Sequence, residues 1–354
     1  MVKQRIIWNG IKIAIVLVVL FLLYCVFRDI GFAKILEVMS HVPMRALLIS
    51  VGLMQSVFLL WAFRLQLIMP EEKRGSIFAL YPVYMTGMFG NIITPGARVG
   101  GEPIRAYYMA QVFGGAKSGH FGVLMVDKFG NMFVYMMFLL VAVSFVVLYV
   151  PLALWIKVVL EMAVLLIVGA VVSGVLLREH IGTQSKFMSW LLRFLYDQPV
   201  LRFLRNRFRS YEHFEEYAID KIDNVFSPVF RAVRSPMVLA KLVVISVVSW
   251  LIFYLAYYYL FLALGADVSF FEVFLIVCVS NFCADISFAP GGAGFMEAAM
   301  IGMCAAFGVD KGVAAAATLL SRGILHIGAL GVGGTSLAVL SLIYGRSPRK
   351  SEKT

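Results

Sequence analysis

Apolar runs long enough to cross a membrane, with little polar chain between them, limit what this sequence can fold into. Hydrophobic residues make up 61% of its 354 positions and charged residues 14%, whereas soluble domains average about 45–50% and about 25%. A helix needs about 20 apolar residues to cross the hydrocarbon. Six runs approach or exceed that length, near 11–28, 44–68, 119–149, 152–177, 237–263 and 313–343. We therefore expect an all-α, polytopic membrane protein with about six full transmembrane helices.

Two further apolar stretches are interrupted by the same short pattern. Pro95-Gly96 is followed by Glu102, and Pro290-Gly291 is followed at the same spacing by Glu297. The apolar pieces on either side of the two interruptions are 76–93 with 102–113, and 270–289 with 296–307. The second piece of each pair is too short to span a bilayer. Because hydrocarbon does not tolerate lipid-exposed broken backbone, each pair predicts a re-entrant helical hairpin, with two short full spans as the alternative.

Glycine surrounds both interruptions and permits close approach of the backbone. The predicted turn residues are Pro95, Gly96, Gly100, Gly101, Pro290, Gly291, Gly292 and Gly294. If the second arm of the first hairpin starts near Gly101, its free N–H groups point toward the turn, which suits an anion. Arg98 or Arg105 would add a guanidinium suited to a phosphate. The mirrored arm, starting near Gly294, offers the same backbone site with Glu297 in its first turn.

The similarity between the two halves extends beyond the turns. Phe113-Gly114 is matched by Phe307-Gly308, 194 residues later, and Lys128 is matched at the same offset by Arg322. Several matches in the same order favour a duplicated unit. We expect a single integral membrane domain over 1–354, with repeat 1 at about 44–149 and repeat 2 at about 237–343.

The distribution of lysine and arginine orients the chain, because cytoplasmic flanks carry an excess of these residues. Both ends are basic, and the segment 178–235 holds ten Lys and Arg residues. We therefore expect a multi-pass protein of the cytoplasmic (inner) membrane with both termini cytoplasmic. In this arrangement 178–235 is a basic amphipathic cytoplasmic loop, and 28–40 is a second surface helix. Three spans separate the two motifs, so the repeats are expected to be inverted. The aromatic residues 250–259 are expected to form an interfacial belt.

Polar side chains inside apolar runs are candidates for function, because hydrocarbon penalises unpaired charge. The candidates for substrate binding or for its support are Asn91, Arg98, Glu102, Arg105, Asp127, Lys128, Asp285, Glu297, Arg322 and His326. Glu102 and Glu297 either cap their helical arms or contact substrate or a proton. The alternative role of Lys128 and Arg322 is to close structural ion pairs with Glu297 and Glu102.

Other intramembrane polar groups also have structural interpretations. Asp127 and Lys128 point about 100° apart on a helix, so their partners are expected on other helices. Arg322 and His326 are four residues apart and share a face, and His326 is either a hydrogen-bonded core residue or a proton relay. Arg64 is expected to extend toward the cytoplasmic interface.

The two motifs resemble those of a known family, the flippase-like membrane domain of lysylphosphatidylglycerol synthases and its stand-alone relatives. TPGARVGGEPIRAYYM at 94–109 is similar to the first family signature, and PGGAGFMEAAM at 290–300 is similar to the second. Lys128 and Arg322 lie where the family tends to carry a basic residue, although arginine is commoner at the position of Lys128. The resemblance covers nearly the whole chain and implies a lipid-handling protein. The aminoacyl-transferase domain of those synthases has no counterpart in these residues, so a stand-alone member is expected.

Translocation of a phospholipid or lipid-linked anionic substrate, through a cavity between the two hairpins, is the leading interpretation. The alternatives are an intramembrane enzyme acting on a phospholipid or polyprenyl phosphate, and a structural subunit of an envelope-lipid complex. No catalytic residue is assigned, and no cofactor or metal is predicted, because no His/Cys metal spacing or P-loop is found. The net charge of +11 lies beside the spans, which favours anionic lipid over nucleic acid as a partner. A homo-oligomer or a partner from an envelope-lipid pathway is also considered.

Overall fold

The computed structural model describes residues 32–94, 100–149, 235–287 and 292–344, with scattered positions between 154 and 222. These four ranges are helical apart from short turns, which confirms the all-α prediction. Several predicted features lie wholly or mostly outside the described residues, namely the spans near 11–28 and 152–177, Pro95, Gly96, Arg98, Pro290, Gly291 and the loop 178–235.

The first half of the described chain forms a short helix and then a series of four helices. These are α1 (Phe32–Ser40), α2 (Met44–Ile68), α3 (Ile77–Ile93), α4 (Gly101–Phe113) and α5 (Lys117–Tyr149). α1 is the described part of the predicted surface helix, and it packs against the beginning of α9, a helix of the second half. α3 and α4 pack along each other as the two arms of the first hairpin.

The second half repeats that series. It consists of α6 (Pro236–Ala263), α7 (Phe270–Ile286), α8 (Phe295–Ala306), α9 (Lys311–Ile327), a π-helical turn (Gly328–Val332) and α10 (Gly333–Tyr344). α9, the π turn and α10 form one continuous helix of 34 residues, against 33 for α5. The other paired lengths are 25 and 28, 17 and 17, and 13 and 12 residues. Helix order and helix length therefore recur together.

Within the described ranges, four helices are long and apolar enough to cross a membrane. They are Met44–Ile68, Lys117–Tyr149, Pro236–Ala263 and Lys311–Tyr344. The hairpin arms between them are only 12 to 17 residues long. A polytopic membrane protein is the architecture that these lengths support.

The repeated Phe-Gly pair ends the second arm of each hairpin. Gly114 follows α4 with φ 71°, and Gly308 follows α8 with φ 76°. Glycine adopts this left-handed conformation without the strain that a side chain adds, and it commonly terminates helices for that reason. The sequence match thus reflects the same helix stop in both halves.

α2 and α6, the first helices of the two series, pack against each other and run antiparallel. Trp61 Nε1 on α2 donates a hydrogen bond of 3.1 Å to Ser249 Oγ on α6. Arg64, almost one turn further along α2, donates a bond of 3.0 Å to Ser246 Oγ. Later positions on α2 therefore meet earlier positions on α6.

The prediction of an interfacial aromatic belt is wrong for Trp250, Tyr254 and Tyr257, which are buried in the protein. Trp250 stacks on Tyr135 of α5 with ring centroids 4.8 Å apart, and Tyr254 meets Phe274 of α7 edge to face at 5.1 Å. The physical reason is the central position of α6, which contacts α2, α5, α7 and α9. Its aromatic side chains fill the space between these helices.

Candidate functional site

The first hairpin is closed by direct backbone contact between α3 and α4. A Cβ added to Gly101 would overlap the carbonyl oxygen of Gly87, and one added to Gly100 would overlap the side chain of Thr94. Asn91 Oδ1 accepts a hydrogen bond of 2.7 Å from the backbone N–H of Gly101, the first residue of α4. The predicted supporting residue Asn91 therefore satisfies one of the free N–H groups at the start of the arm.

Glu102, the second residue of α4, forms an ion pair with Lys128 of α5. Lys128 Nζ lies 2.9 Å from Glu102 Oε1, and the two side chains are 33% and 4% exposed. The carboxylate is therefore buried, while its partner reaches the edge of the protein. The second carboxylate oxygen, Oε2, is buried and has no hydrogen-bond partner among the described residues. A buried oxygen without a donor is costly, so this atom is a candidate contact for a ligand or a proton.

In the second hairpin both oxygens of Glu297 are occupied. Oε2 accepts a hydrogen bond of 2.7 Å from the backbone N–H of Gly294, and Oε1 lies 3.0 Å from Arg322 Nε. Arg322 Nη2 also donates to the carbonyl of Gly292 at 3.1 Å. Gly292 has φ 70°, and a Cβ there would lie 2.5 Å from that of Ala284. Glu297 thus caps α8 and pairs with a cation at the same time.

Ion pairing of Lys128 and Arg322 is confirmed, but each pair joins two groups of the same repeat. Lys128 binds Glu102 rather than Glu297, and Arg322 binds Glu297 rather than Glu102. The reason is the short connection between each second arm and the next helix. That connection folds the start of the arm back against the middle of the following helix, so residues 26 positions apart meet in the first repeat and residues 25 positions apart meet in the second.

The prediction that Arg64 extends to the interface is wrong. Its side chain is 2% exposed and binds Asp127 of α5 through two hydrogen bonds, Nε to Oδ1 at 2.6 Å and Nη2 to Oδ2 at 3.1 Å. Nη1 donates to Asn131 Oδ1 at 2.5 Å and to Ser246 Oγ at 3.0 Å. A guanidinium can be buried when its donors are satisfied in this way. The expectation that Asp127 and Lys128 find partners on other helices is confirmed.

Arg105 is enclosed between the arms of the first hairpin. Its guanidinium carbon lies 3.9 Å from the centre of the Tyr84 ring, and Nε donates a hydrogen bond of 3.0 Å to the carbonyl of Tyr84. Nη2 is buried and has no hydrogen-bond partner among the described residues. The cation–π contact compensates for part of the desolvation of the guanidinium. Binding of an anion by the Arg105 guanidinium stays a prediction.

Tyr84 lies close enough to four charged groups to interact electrostatically with each of them. These groups are Arg64, Glu102, Arg105 and Asp127. Together with Lys128, the partner of Glu102, they form what we call the Tyr84 cluster. It holds three cations and two carboxylates, so it carries one excess positive charge.

The remaining candidates lie in the second repeat. His326 Nδ1 lies 2.8 Å from the carbonyl oxygen of Arg322, one turn earlier on α9. This contact fits the interpretation of His326 as a hydrogen-bonded residue of the helix. Asp285 is partly buried near the end of α7, 194 positions after Asn91. Among the residues that the structure describes, no group of three His, Cys, Asp or Glu side chains could hold a metal ion.

Comparison with known proteins agrees with the motifs. Residues 10–333 match the family model of the lysylphosphatidylglycerol synthase TM region. A UPF0104 membrane protein of Methanothermobacter thermautotrophicus is 28% identical over 255 residues, which cover 72% of this chain and 73% of that protein. A UPF0104 membrane protein of Pyrococcus horikoshii is 24% identical over 82% of this chain and 86% of its own length. One of Methanocaldococcus jannaschii is 24% identical over 89% of this chain and 91% of its own length. This multi-pass membrane protein therefore belongs to the family of the lysylphosphatidylglycerol synthase transmembrane region.

Proposed function

We propose that the protein moves a phospholipid, or another lipid-linked anionic molecule, between the leaflets of the cytoplasmic membrane. The observation that carries the proposal is the recurrence of one device, a carboxylate–cation pair at the start of the short arm of a helical hairpin. It occurs as Glu102–Lys128 and again as Glu297–Arg322. Ionisable groups inside a membrane protein are costly and usually mark a substrate path. Two equivalent devices favour a path with two gates over a single catalytic centre.

Inversion of repeat 1 (about 44–149) and repeat 2 (about 237–343) is part of the proposal. It is supported by the matching helix lengths and by the antiparallel packing of α2 against α6. A pseudo-two-fold axis that relates antiparallel spanning helices lies in the plane of the membrane. Such an axis would give each leaflet an equivalent opening to a cavity between the hairpins. The lysine and arginine distribution supports a cytoplasmic position for both termini and for the loop 178–235.

An anionic substrate is supported by the charge of the Tyr84 cluster. Its four buried members balance in charge, and the excess positive charge is that of Lys128, which reaches the edge of the protein. Arg105 Nη2, which has no hydrogen-bond partner among the described residues, is a donor of the kind that binds a phosphate. Hydrocarbon chains of the substrate would remain in the bilayer while the head group crosses. The family name, which includes a phosphatidylglycerol derivative, supports a substrate of this class.

Transport by the purified protein in vesicles tests the proposal directly. Acyl-labelled fluorescent phosphatidylglycerol is placed in one leaflet, and its arrival in the other is measured with a membrane-impermeant quencher. Glu102→Gln and Glu297→Gln are each expected to slow transfer about tenfold or more, equivalent to about 1.4 kcal/mol on the transport barrier. Glu272→Gln is the matched control, because Glu272 caps α7 through Ser269 at the start of a helix but outside either ion pair.

Other outcomes of the vesicle experiment would favour other functions. A lipid of altered mass after incubation would favour the intramembrane enzyme. If the Glu102→Gln and Glu297→Gln proteins fold and transport lipid at the full rate, both carboxylates serve only to cap their helices. An unaltered protein that moves no lipid of the anionic or lipid-linked class would overturn the proposal and favour a structural subunit of an envelope-lipid complex.

A further inference from the structure

An open apolar groove runs along one side of α9. Its volume is about 780 Å³, and it lies between α1, α2, α9 and the π turn. Met39 of α1 and Val51 of α2 face Gly323 and Ile327 of α9 across it. Apart from Gln55 and Thr335, the lining side chains are hydrocarbon, thioether or glycine. A space of this size, within the range of about 300–1,000 Å³ typical of ligand sites, suits a flexible apolar molecule.

Glycine and the π turn create this space. A Cβ added to Gly323 or to Gly331 would have no other atom within 4 Å. The π turn over Gly328–Val332 widens the helix locally, and such turns are frequent at functional sites. Residues without a side chain therefore help to form the groove.

The groove is connected to both hairpins. Gln55 in its wall accepts a hydrogen bond of 2.9 Å from the hydroxyl of Tyr81 on α3, an arm of the first hairpin. On α9 the wall residues Leu319 and Gly323 flank Arg322 in sequence. At 100° per residue, Leu319 lies about 60° around the helix from Arg322. The groove and the Glu297–Arg322 pair therefore lie on neighbouring faces of α9.

We propose that the groove binds one hydrocarbon chain of the lipid whose anionic head group is handled at the hairpins. The inference rests on the proposed function for the identity of that lipid, but not for the existence of the site. The occupant is a single acyl or prenyl chain, because the wall offers apolar contact along its length and its few polar groups cannot neutralise a charge. Burial of each methylene in such a site is favourable relative to water. A chain in the bilayer also avoids water, so preference for the groove depends on the head group held near Arg322.

Photo-cross-linking separates a specific site from ordinary lipid contact. The full chain is placed in phosphatidylcholine vesicles with a trace of phosphatidylglycerol that carries a diazirine on one acyl chain, and labelled residues are located by mass spectrometry. Val51 in the groove and Leu140 on α5 are both 37% exposed, so bulk lipid would label them equally. The proposal predicts about tenfold more label at Val51, as expected for a site preferred by about 1.4 kcal/mol.

Filling the groove gives the second measurement. Gly323→Leu places a side chain in the open space and is expected to lower the label at Val51 about tenfold. Gly302→Leu on α8 is the matched control, because its Cβ also meets no atom within 4 Å but Gly302 lies outside the groove. Both changes favour the helix over glycine, so both proteins are expected to fold. If Gly323→Leu nevertheless fails to fold, Val51→Phe fills the groove from the opposite wall, and the label is then read at Met39.

The two proposals fail in different ways. Equal label at Val51 and Leu140, or label that Gly323→Leu leaves unchanged, overturns the groove site even if the protein transports lipid. Label concentrated in the groove supports the site even if vesicle transport is absent, in which case the proposed function is what fails. Concentrated label together with slower transport in Gly323→Leu, but not in Gly302→Leu, supports both.

Discussion

The two hairpins carry the same carboxylate–cation device but hold it differently. In the second repeat, Glu297 uses one oxygen for the helix cap and the other for Arg322, and both side chains are almost fully buried. In the first repeat, Glu102 leaves one buried oxygen without a partner among the described residues, and Lys128 is one-third exposed. Among the described residues the carboxylate of the first device is thus incompletely paired, whereas both oxygens of the second carboxylate have a partner.

The surroundings of the two devices differ in the same direction. Asp127, beside Lys128, binds Arg64 and extends the first device into the Tyr84 cluster. The position 194 residues later is Ser321, whose hydroxyl donates a hydrogen bond of 3.0 Å to the carbonyl of Thr318 within its own helix. The two halves therefore resemble each other more closely in helix order and length than in charge. The difference places the stronger candidate for head-group binding in the first repeat and indicates a more structural role for the second.

The largest expected effect is on the buried Arg64–Asp127 pair, because the position that matches Asp127 in the second repeat is the uncharged Ser321. Asp127→Ser gives the first repeat the residue of the second and leaves the Arg64 guanidinium buried without its counter-ion. Removing one partner of a buried pair costs about 3–5 kcal/mol. The apparent thermal midpoint and the monodisperse yield in detergent should both fall sharply. Ser321→Ala, which removes only a local hydrogen bond, should cost about 1 kcal/mol or less.

A double variant distinguishes an unpaired charge from a loss of packing. Arg64→Leu combined with Asp127→Ser removes both charges and should recover most of the stability that Asp127→Ser loses. If Asp127→Ser alone is as stable as Ser321→Ala, the ion pair contributes little and the two repeats are more alike than their charges indicate.

An intermediate effect is expected from truncating the two motif carboxylates. Glu297→Ala removes both the cap of α8 and the ion pair with Arg322, so a loss of about 3 kcal/mol is expected. Glu102→Ala should cost only about 1 kcal/mol, because Lys128 can turn toward the edge of the protein. Thermal unfolding of the two variants under identical conditions measures the difference. A larger loss of stability in Glu102→Ala than in Glu297→Ala would contradict the assignment of the incompletely paired device to the first repeat.

Much of the fold could be predicted from the sequence because the bilayer restricts helix length. The run 44–68 coincides with α2 (Met44–Ile68), and the short pieces on either side of each motif coincide with the hairpin arms to within a few residues. The starts of the second arms near Gly101 and Gly294 could also be predicted, because glycine and an acidic residue in the first turn mark a helix beginning.

The partners of the intramembrane charges could not be predicted in the same way. Arg64 and Asp127 are 63 positions apart, and the position of Arg64 near the end of an apolar run is also typical of a side chain that reaches the interface. A signal was present in Asp127, a carboxylate deep in an apolar helix that requires a cation from another helix. The burial of Trp250 had a signal as well, since α6 is apolar on every face, as central helices are.

The smallest difference between the repeats lies at the start of their long helices. Asp310 caps α9, because its Oδ1 accepts hydrogen bonds from the backbone N–H groups of Gly312 at 2.7 Å and Val313 at 3.3 Å. Its Oδ2 accepts a bond of 2.8 Å from Lys34 of α1, outside the membrane-spanning segments. The equivalent position before α5 is Ala116, which has no side-chain acceptor. Only the second repeat is therefore tied to α1 at this point.

The hydrogen bond from Lys34 holds the pKa of Asp310 below its ordinary value of 3.8. A carboxyl whose pKa is lowered by folding adds stability that is complete above the unfolded value and is lost as the pH falls through the folded value. Asp310→Asn keeps a capping oxygen but loses the charge, so at pH 7 it should cost about 0.5 kcal/mol, since the pair is half exposed. The difference from the unaltered protein should shrink as the pH falls below 3.8 and through the lowered pKa of Asp310, which thermal unfolding across this pH range measures. Ala116→Asp tests the first repeat. If the start of α5 lacks only a side-chain acceptor, the added cap should raise stability by about 0.5–1 kcal/mol.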